Sequence, residues 1–415
     1  MRQANRIGRP RLRGGAAAAL AGLLLVLTGS EATGETGGGA EASSSAASTP
    51  LTHSFASARA STRAWSGKRM AAAVTPMPLP GQGAQPAASA AARTPLRSKT
   101  IKNPDRYPNR AHGRTFFSSG GRDYSCSATV VTTGAGNTIL TAAHCVFDRE
   151  TGEFVDELIF APGYRKGKAP FGAWKASHAA VPGGWPVTGS ADLDTGLLQL
   201  EPRDGSEVQE LVGSRGIGFK QKPKGRLHAY GYPAAPARYN GEQLVRCGSR
   251  AKADPFHSGS IAIRCDMKQG ASGGGWVAQK SFLVANTSHG HGGSKVIFGP
   301  LFGRAVKTLY GFNDKGSFPS VKPVRCGGRI ATIVGTDAGE KIKGTKKKDV
   351  IATLGGDDKV ITKGGRDRVC AGEGDDFIKA GGGRDRIDAG RGTDRCDGGG
   401  GRDRAKGCER ERRVP

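Results

Sequence analysis

Aromatic residues make up only 6% of this 415-residue chain, and acidic charge is scarce: 36 Asp and Glu stand against 62 Lys and Arg, a formal net charge of +26. So thin an aromatic content limits a packed core to part of the chain. No cysteine pair has the CxxC spacing, so the usual zinc signature is missing. Sustained apolar periodicity of 3.6 residues is also missing, which excludes an architecture of long helices. Beyond Ala16 to Leu27 no segment is long and apolar enough to span a membrane. The basic surplus has no interleaved aromatics, so it gives no specific nucleic-acid patch. It fits an arginine-rich composition, or attraction to a cell wall or other anionic surface.

What is present divides the chain. Arg2, Arg6, Arg9, Arg11 and Arg13 precede the apolar run, and Ser30-Glu31-Ala32 offers small residues for cleavage. Residues 1–32 therefore read as a signal peptide, and the protein as secreted. Residues 33–100 are rich in Ala, Ser, Thr, Gly and Pro and read as a low-complexity propeptide or linker. Over 101–318, short β-rich runs such as Ser127–Thr132, Thr138–Thr141, Gly196–Leu200 and Ser281–Thr287 alternate with turns, predicting an all-β sandwich or barrel. Residues 319–334 read as a linker or cap, 335–408 as a repeat, and 409–415 as a basic tail.

Eight cysteines suit disulfides in an oxidising compartment. Cys126, Cys145, Cys247 and Cys265 form one group, and Cys326, Cys370, Cys396 and Cys408 another. We expect Cys126–Cys145 and Cys247–Cys265. The second four allow three pairings, of which Cys326–Cys370 with Cys396–Cys408 is preferred.

The repeat has a period of nine. Aspartates recur at Asp349, Asp358, Asp367, Asp376, Asp385, Asp394 and Asp403, each followed two residues on by Ile351, Val360, Val369, Ile378, Ile387, Cys396 or Ala405. Glycines precede most of them by two. The register matches the nonapeptide GGxGxDxUx and resembles hemolysin-type, RTX-like calcium-binding repeats, which implies a parallel β-roll with those aspartates as calcium ligands. Glu340 replaces the first aspartate, and the second repeat, GTKKKDVIA, lacks its central glycine. Over 335–408, 17 basic residues accompany 14 acidic ones, an unusual setting for calcium.

The chemistry of the first half starts at Thr141-Ala142-Ala143-His144-Cys145, where a strand delivers a histidine flanked by a cysteine. A general base for a hydroxyl must be held that rigidly. Gln269-Gly270-Ala271-Ser272-Gly273-Gly274-Gly275 offers a serine on a glycine turn, with the Gly270 and Ser272 amides as an oxyanion hole. An orienting acid must lie buried beside the histidine. Asp194 precedes the apolar strand Gly196–Leu200 and suits that role, with Asp192 as its competitor.

Together TAAHC, DTGLLQL and GASGGGW resemble the chymotrypsin-like serine peptidases over about residues 105–312. Ala271 stands where the trypsin branch has an acid, so the chain looks closer to the secreted bacterial branch that includes glutamyl endopeptidases. The resemblance implies a double β-barrel with catalytic His144, Asp194 and Ser272 in the cleft, acting on protein or peptide substrates without a catalytic cofactor. Asp266, Thr287 and His289 fall where such enzymes line the substrate pocket. The expected whole is an all-β, secreted serine endopeptidase zymogen with a calcium-binding repeat. A non-catalytic surface-binding protein on the same fold is the alternative, and the intact His, Asp and Ser set argues against it. A nuclease is suggested by charge alone.

Overall fold

A computed structural model describes residues 49–55, 65–75, 98–221, 225–290, 295–312 and 318–414. The signal-peptide segment 1–32 lies outside the described residues, as does much of 33–100.

Six strands close the first barrel, in the order Trp174–Val181, Gly196–Leu200, Thr138–Thr141, Arg122–Val130, His112–Ser119, Glu157–Pro162 and back to Trp174–Val181. Side chains alternate across a strand, and here both faces are covered. Phe116, Leu140 and Leu197 join one apolar cluster, whereas their neighbours Phe117, Ile139 and Leu198 join another. Each such side chain contributes about 1.5–3 kcal/mol on burial. That double burial explains why these strands read as continuous apolar runs.

The second half builds its barrel from two sheets. Arg226–Gly231, Val245–Arg250, Gly275–Ala278 and Phe282–Asn286 pair antiparallel, while Ser260–Arg264 pairs with Val296–Pro300 and with Lys252–Ala253. The bridge Ala285–Leu301 and the disulfide Cys247–Cys265 join the two sheets. All four expected disulfides are present.

Of the two readings of 319–334, linker or cap, the described residues have the pairing of a cap. Gly216–Gly218 pairs with Ile333–Val334, which pairs in parallel with Val350–Gly355 and onward through Arg368–Glu373, Arg386–Arg391 and Arg404–Lys406. Barrel and roll thus share one eleven-stranded sheet. The physical reason is the open edge of a roll's first rung, which needs a partner for its amides and apolar face. Gly216–Gly218 supplies the amides, and one apolar cluster runs from Leu227 and Phe282 to Ile333, Val369 and Cys396. The Cys326–Cys370 bridge fastens the capping hairpin to the roll.

The roll's other wall stacks Lys341–Lys343, Lys359–Ile361, Phe377–Lys379, Arg395–Asp397 and Arg410–Arg412. Ile342, Val360, Ile378 and Cys396 form one interior file, and Ile333, Ile351, Val369 and Ile387 the other. The coils approach so closely that a Cβ at Gly383, φ +137°, would overlap the Gly365 carbonyl. Within the basic segment 409–415, Arg410–Arg412 forms the closing rung.

Two pieces of the 33–100 segment, read as a low-complexity propeptide or linker, are folded against the barrel. Leu51–Ser54 pairs with His178–Val181 at the barrel edge. Helix Gly67–Ala72 docks through Arg69, which pairs with Asp123 and Glu157 and stacks on Trp65, and through buried Met70. A tryptophan, an arginine and a methionine in an otherwise small-residue tract supply this anchoring.

Candidate active site

Strand Thr138–Thr141 ends in a short helical turn, Ala143–Cys145, that carries His144. The Cys126–Cys145 bridge pins this turn to the neighbouring strand, a loop closure worth about 3 kcal/mol in the chain-entropy account. His144 Nδ1 lies 2.8 Å from Asp194 Oδ2, and the backbone N–H of His144 donates to Asp194 Oδ1 at 3.0 Å. Asp194 is fully buried. Burial alone would raise its pKa, but the adjacent His144 and hydrogen bonds from His144 and Ser288 outweigh that and hold it below the usual carboxylate range.

Asp192, the competing acid, faces elsewhere. Its carboxylate accepts from Gly259 N at 3.0 Å and Ser260 Oγ at 2.8 Å. It fastens a loop and leaves His144 to Asp194.

Ser272 sits on a turn tied to the same strands. Its carbonyl accepts from Ser127 N at 2.8 Å, and Gly273 N donates to the Thr287 carbonyl at 2.7 Å. Gly273 has φ +79°, and a Cβ there would overlap Thr141 Oγ1 and the Ser127 carbonyl. The turn is thereby pressed onto Thr141, three residues before His144. Among the described residues no hydrogen bond joins Ser272 Oγ to His144, and both residues are partly exposed. Neither the Gly270 nor the Ser272 amide donates within the described residues, while Ser127 Oγ fixes the Gly270 carbonyl at 2.7 Å. Two unspent amides beside a serine can receive a developing oxyanion.

Two supporting residues were not assigned a role from sequence. Ser288 Oγ donates to Asp194 Oδ2 at 2.6 Å, and Asn286 Nδ2 donates to the Asp194 carbonyl at 2.9 Å. Both lie more than ninety positions from Asp194, so no local pattern signals them.

The substrate-pocket candidates fare differently. Asp266 faces Ser98 N and Oγ and is ion-paired with Arg238. Burial would raise its pKa, but the Ser98 and Arg238 contacts win and lower it. The carboxylate is therefore already neutralised from within the chain, which weakens its expected role as a pocket acid. Thr287 is buried, with Oγ1 accepting from Trp276 Nε1 at 2.9 Å. His289 stacks on Phe298 with centroids 5.2 Å apart and places Nδ1 3.1 Å from Ser288 Oγ.

In the roll the aspartates stack in two columns, one coil apart. Asp376 Oδ1 accepts from Asp358 N, and Asp394 Oδ1 from Asp376 N, each at 2.8 Å. The other column runs Asp349, Asp367, Asp385 and Asp403 in the same manner. Glu340 opens the first column and Glu409 closes it, accepting from Asp394 N at 2.7 Å. Glu409 breaks the nine-residue period and was hidden from sequence for that reason. The second carboxylate oxygens of Asp358, Asp367, Asp376, Asp385, Asp394 and Asp403 are buried without a hydrogen-bond partner. Burial foremost, with neighbouring acids, pushes Asp358 up to about 7 and Asp367 and Asp376 up to about 6. Bare buried oxygens of this kind fit a hard cation.

The two columns have opposite surroundings. Asp357 and Asp375 flank the first, with Asp375 N donating to Asp357 Oδ1 at 2.9 Å. Arg366, Arg368, Arg384, Arg386, Arg402 and Arg404 line a groove beside the second.

Two segments, residues 334–369 and 371–405, each match the family model described as the RTX calcium-binding nonapeptide repeat (4 copies). A glutamyl endopeptidase of Bacillus licheniformis is 29% identical over 108 residues, 26% of this chain and 32% of that protein. The match thus spans about a third of the curated relative's length. Among solved structures, the protease Anisep from Arthrobacter nicotinovorans is 32% identical with a TM-score of 0.46, covering 48% of this chain and 94% of that one. A thermostable serine protease, AL20, from an extremophilic microorganism is 34% identical with a TM-score of 0.46 and the same coverage. The chain is a chymotrypsin-like fold carrying RTX-type repeats. The RTX-type roll extends the second half of the chymotrypsin-like fold, and the candidate site lies wholly within that fold.

Proposed function

We propose that the protein is a secreted serine endopeptidase that cleaves peptide bonds through an acyl-enzyme. The observation that carries this reading is the pairing of His144 with the buried Asp194, together with a glycine-turn serine whose own amide and that of Gly270 are unspent. In this mechanism His144 takes the proton of Ser272 Oγ as the oxygen attacks the substrate carbonyl. Asp194 holds the imidazole in one tautomer and stabilises its charge. The Gly270 and Ser272 amides receive the oxyanion. Collapse expels the amine, which takes the proton from His144, and water then repeats the sequence to release the acid.

The experiment is covalent labelling with a fluorophosphonate. Wild type should label at Ser272, and Ser272→Ala should not label while unfolding at the same temperature. Labelling of the Ala variant at the same peptide would overturn the assignment.

Calcium belongs to the roll in this proposal. Asp358, Asp376 and Asp394, with Asp357 and Asp375 beside them, would hold it, and it would supply positive charge that relieves stacked carboxylates. The arginine-lined column is the weaker cation site and instead suits an anionic surface such as a cell wall. Four disulfides and the basic-then-apolar N-terminus support secretion. Cleavage within the 33–100 segment would release the mature enzyme.

A further inference from the structure

We propose that Asp254, His257 and His289 form a binding site for a divalent transition metal, of which Zn2+ is the type, beside the strand that carries Ser288. One ligand atom from each of the three lies within 4.8 Å of the others. Ligands about 2.0–2.2 Å from a common ion stand roughly 3.4 Å apart in tetrahedral geometry. An ion would draw the set in from its present spacing.

Asp254 gives an independent indication. It is 6% exposed, its Oδ1 accepts from Phe256 N at 2.8 Å, and its Oδ2 is buried without a hydrogen-bond partner. A carboxylate oxygen removed from water and left bare calls for a cation. His289 is held as a ligating imidazole must be, with Nδ1 3.1 Å from Ser288 Oγ and the ring stacked on Phe298. His257 lies on the loop between Lys252–Ala253 and Ser260–Arg264, part-exposed, and provides the entry path. Asp192 braces that loop through Gly259 and Ser260. The two imidazoles stand edge-on, with centroids 5.8 Å apart and planes at 87°.

Two ring nitrogens and one oxygen select Zn2+, Co2+, Ni2+ or Cu2+ over calcium. The site is therefore chemically distinct from the all-oxygen columns of the roll. Its position has a consequence. His289 follows Ser288, which donates to Asp194, so an ion here stands at the wall of the proposed substrate strand. Metal binding should slow acylation of Ser272 without touching His144. That consequence rests on the peptidase reading; the binding itself does not.

The test uses the full chain, stripped with chelator and then saturated with calcium to fill the roll. Cobalt uptake is followed by visible absorption, and zinc by calorimetry. One cobalt per chain is expected, displaced by zinc. His257→Asn and Asp254→Asn should each weaken binding by at least about tenfold while still unfolding cooperatively. Zinc should slow fluorophosphonate labelling of wild type and not of those two variants. Wild type that takes up no cobalt overturns the proposal, as do variants that bind as tightly as wild type. Cobalt bands in a protein that neither labels nor cleaves would retain the metal site and sink the peptidase reading. Absence of uptake, with His257→Asn impairing cleavage after acidic side chains, would assign the cluster to substrate and overturn the metal.

Discussion

Ser288 Oγ donates a 2.6 Å hydrogen bond to Asp194 Oδ2, the oxygen that also faces His144 Nδ1. Asp194 therefore has both oxygens occupied, since Oδ1 takes the His144 amide. A charge-assisted hydrogen bond of this kind contributes about 1.5–3 kcal/mol. Ser288→Ala should lower kcat by roughly tenfold to a hundredfold through a looser imidazole. Asp194→Asn should cost about 10⁴-fold, because the wrong tautomer is then held. Steady-state kinetics on one ester substrate checks both, and equal losses in the two variants would contradict this ordering.

Asp266 supplies the second prediction. Its charge is compensated by Arg238 and its lone pairs by Ser98. A substrate Arg or Lys would have to displace Arg238 to reach it. Profiling on a peptide library should accordingly show no Arg or Lys preference. Asp266→Asn should leave the profile unchanged and lower the melting temperature. Its folded pKa is depressed, so the stabilisation is present above the ordinary aspartate pKa and lost as pH falls through the folded value. A profile that loses basic preference in the variant would restore Asp266 to the pocket.

How far the sequence revealed this molecule depends on the range of each interaction. His144 and Ser272 are announced by local strand and turn chemistry, and the aspartate columns by a fixed period. Thus TAAHC, GASGGGW and the nine-residue register single them out as candidates. The roles of Ser288 and Asn286 depend on contacts across the fold, with one serine or asparagine looking like any other. Gly216–Gly218 is three residues long, too short to announce that it caps the roll. Val334 at its far side looked like the end of a linker, because its partner Ile217 is more than a hundred residues away. The arginine ladder was visible as charge, but only coil stacking separates it from Asp357 and Asp375.

The shared sheet predicts coupled unfolding. Removing residues 333–415 would bare Ile217 and the edge of Gly216–Gly218. Calorimetry of the full chain in calcium should give one transition spanning barrel and roll. The truncated chain should melt at a lower temperature. Conversely, 326–415 alone lacks the Gly216–Gly218 strand and should stay largely unfolded even in calcium. Two independent transitions, with the barrel's unchanged by truncation, would contradict the shared-sheet account.

The carboxylate columns predict an inverted pH response that calcium cancels. Asp358 is raised to about 7, and Asp367 and Asp376 to about 6. A raised folded pKa means that the folded roll holds protons the unfolded chain has released. Without calcium, stability is therefore greatest near the ordinary aspartate pKa of about 4 and falls as pH rises through 6 and 7. Calcium takes the place of those protons, so its binding at neutral pH should release protons to the buffer and restore the melting temperature. Asp376→Ala should weaken the calcium response more than Asp385→Ala, because Asp357 and Asp375 reinforce the first column while arginines oppose the second. Salt should narrow that difference by screening the arginines. Thermal melts in chelator and in millimolar calcium, at pH 5 and pH 7.5, decide the matter. A chelated protein that grows more stable between those two values would show that the columns are ionised and compensated without any metal.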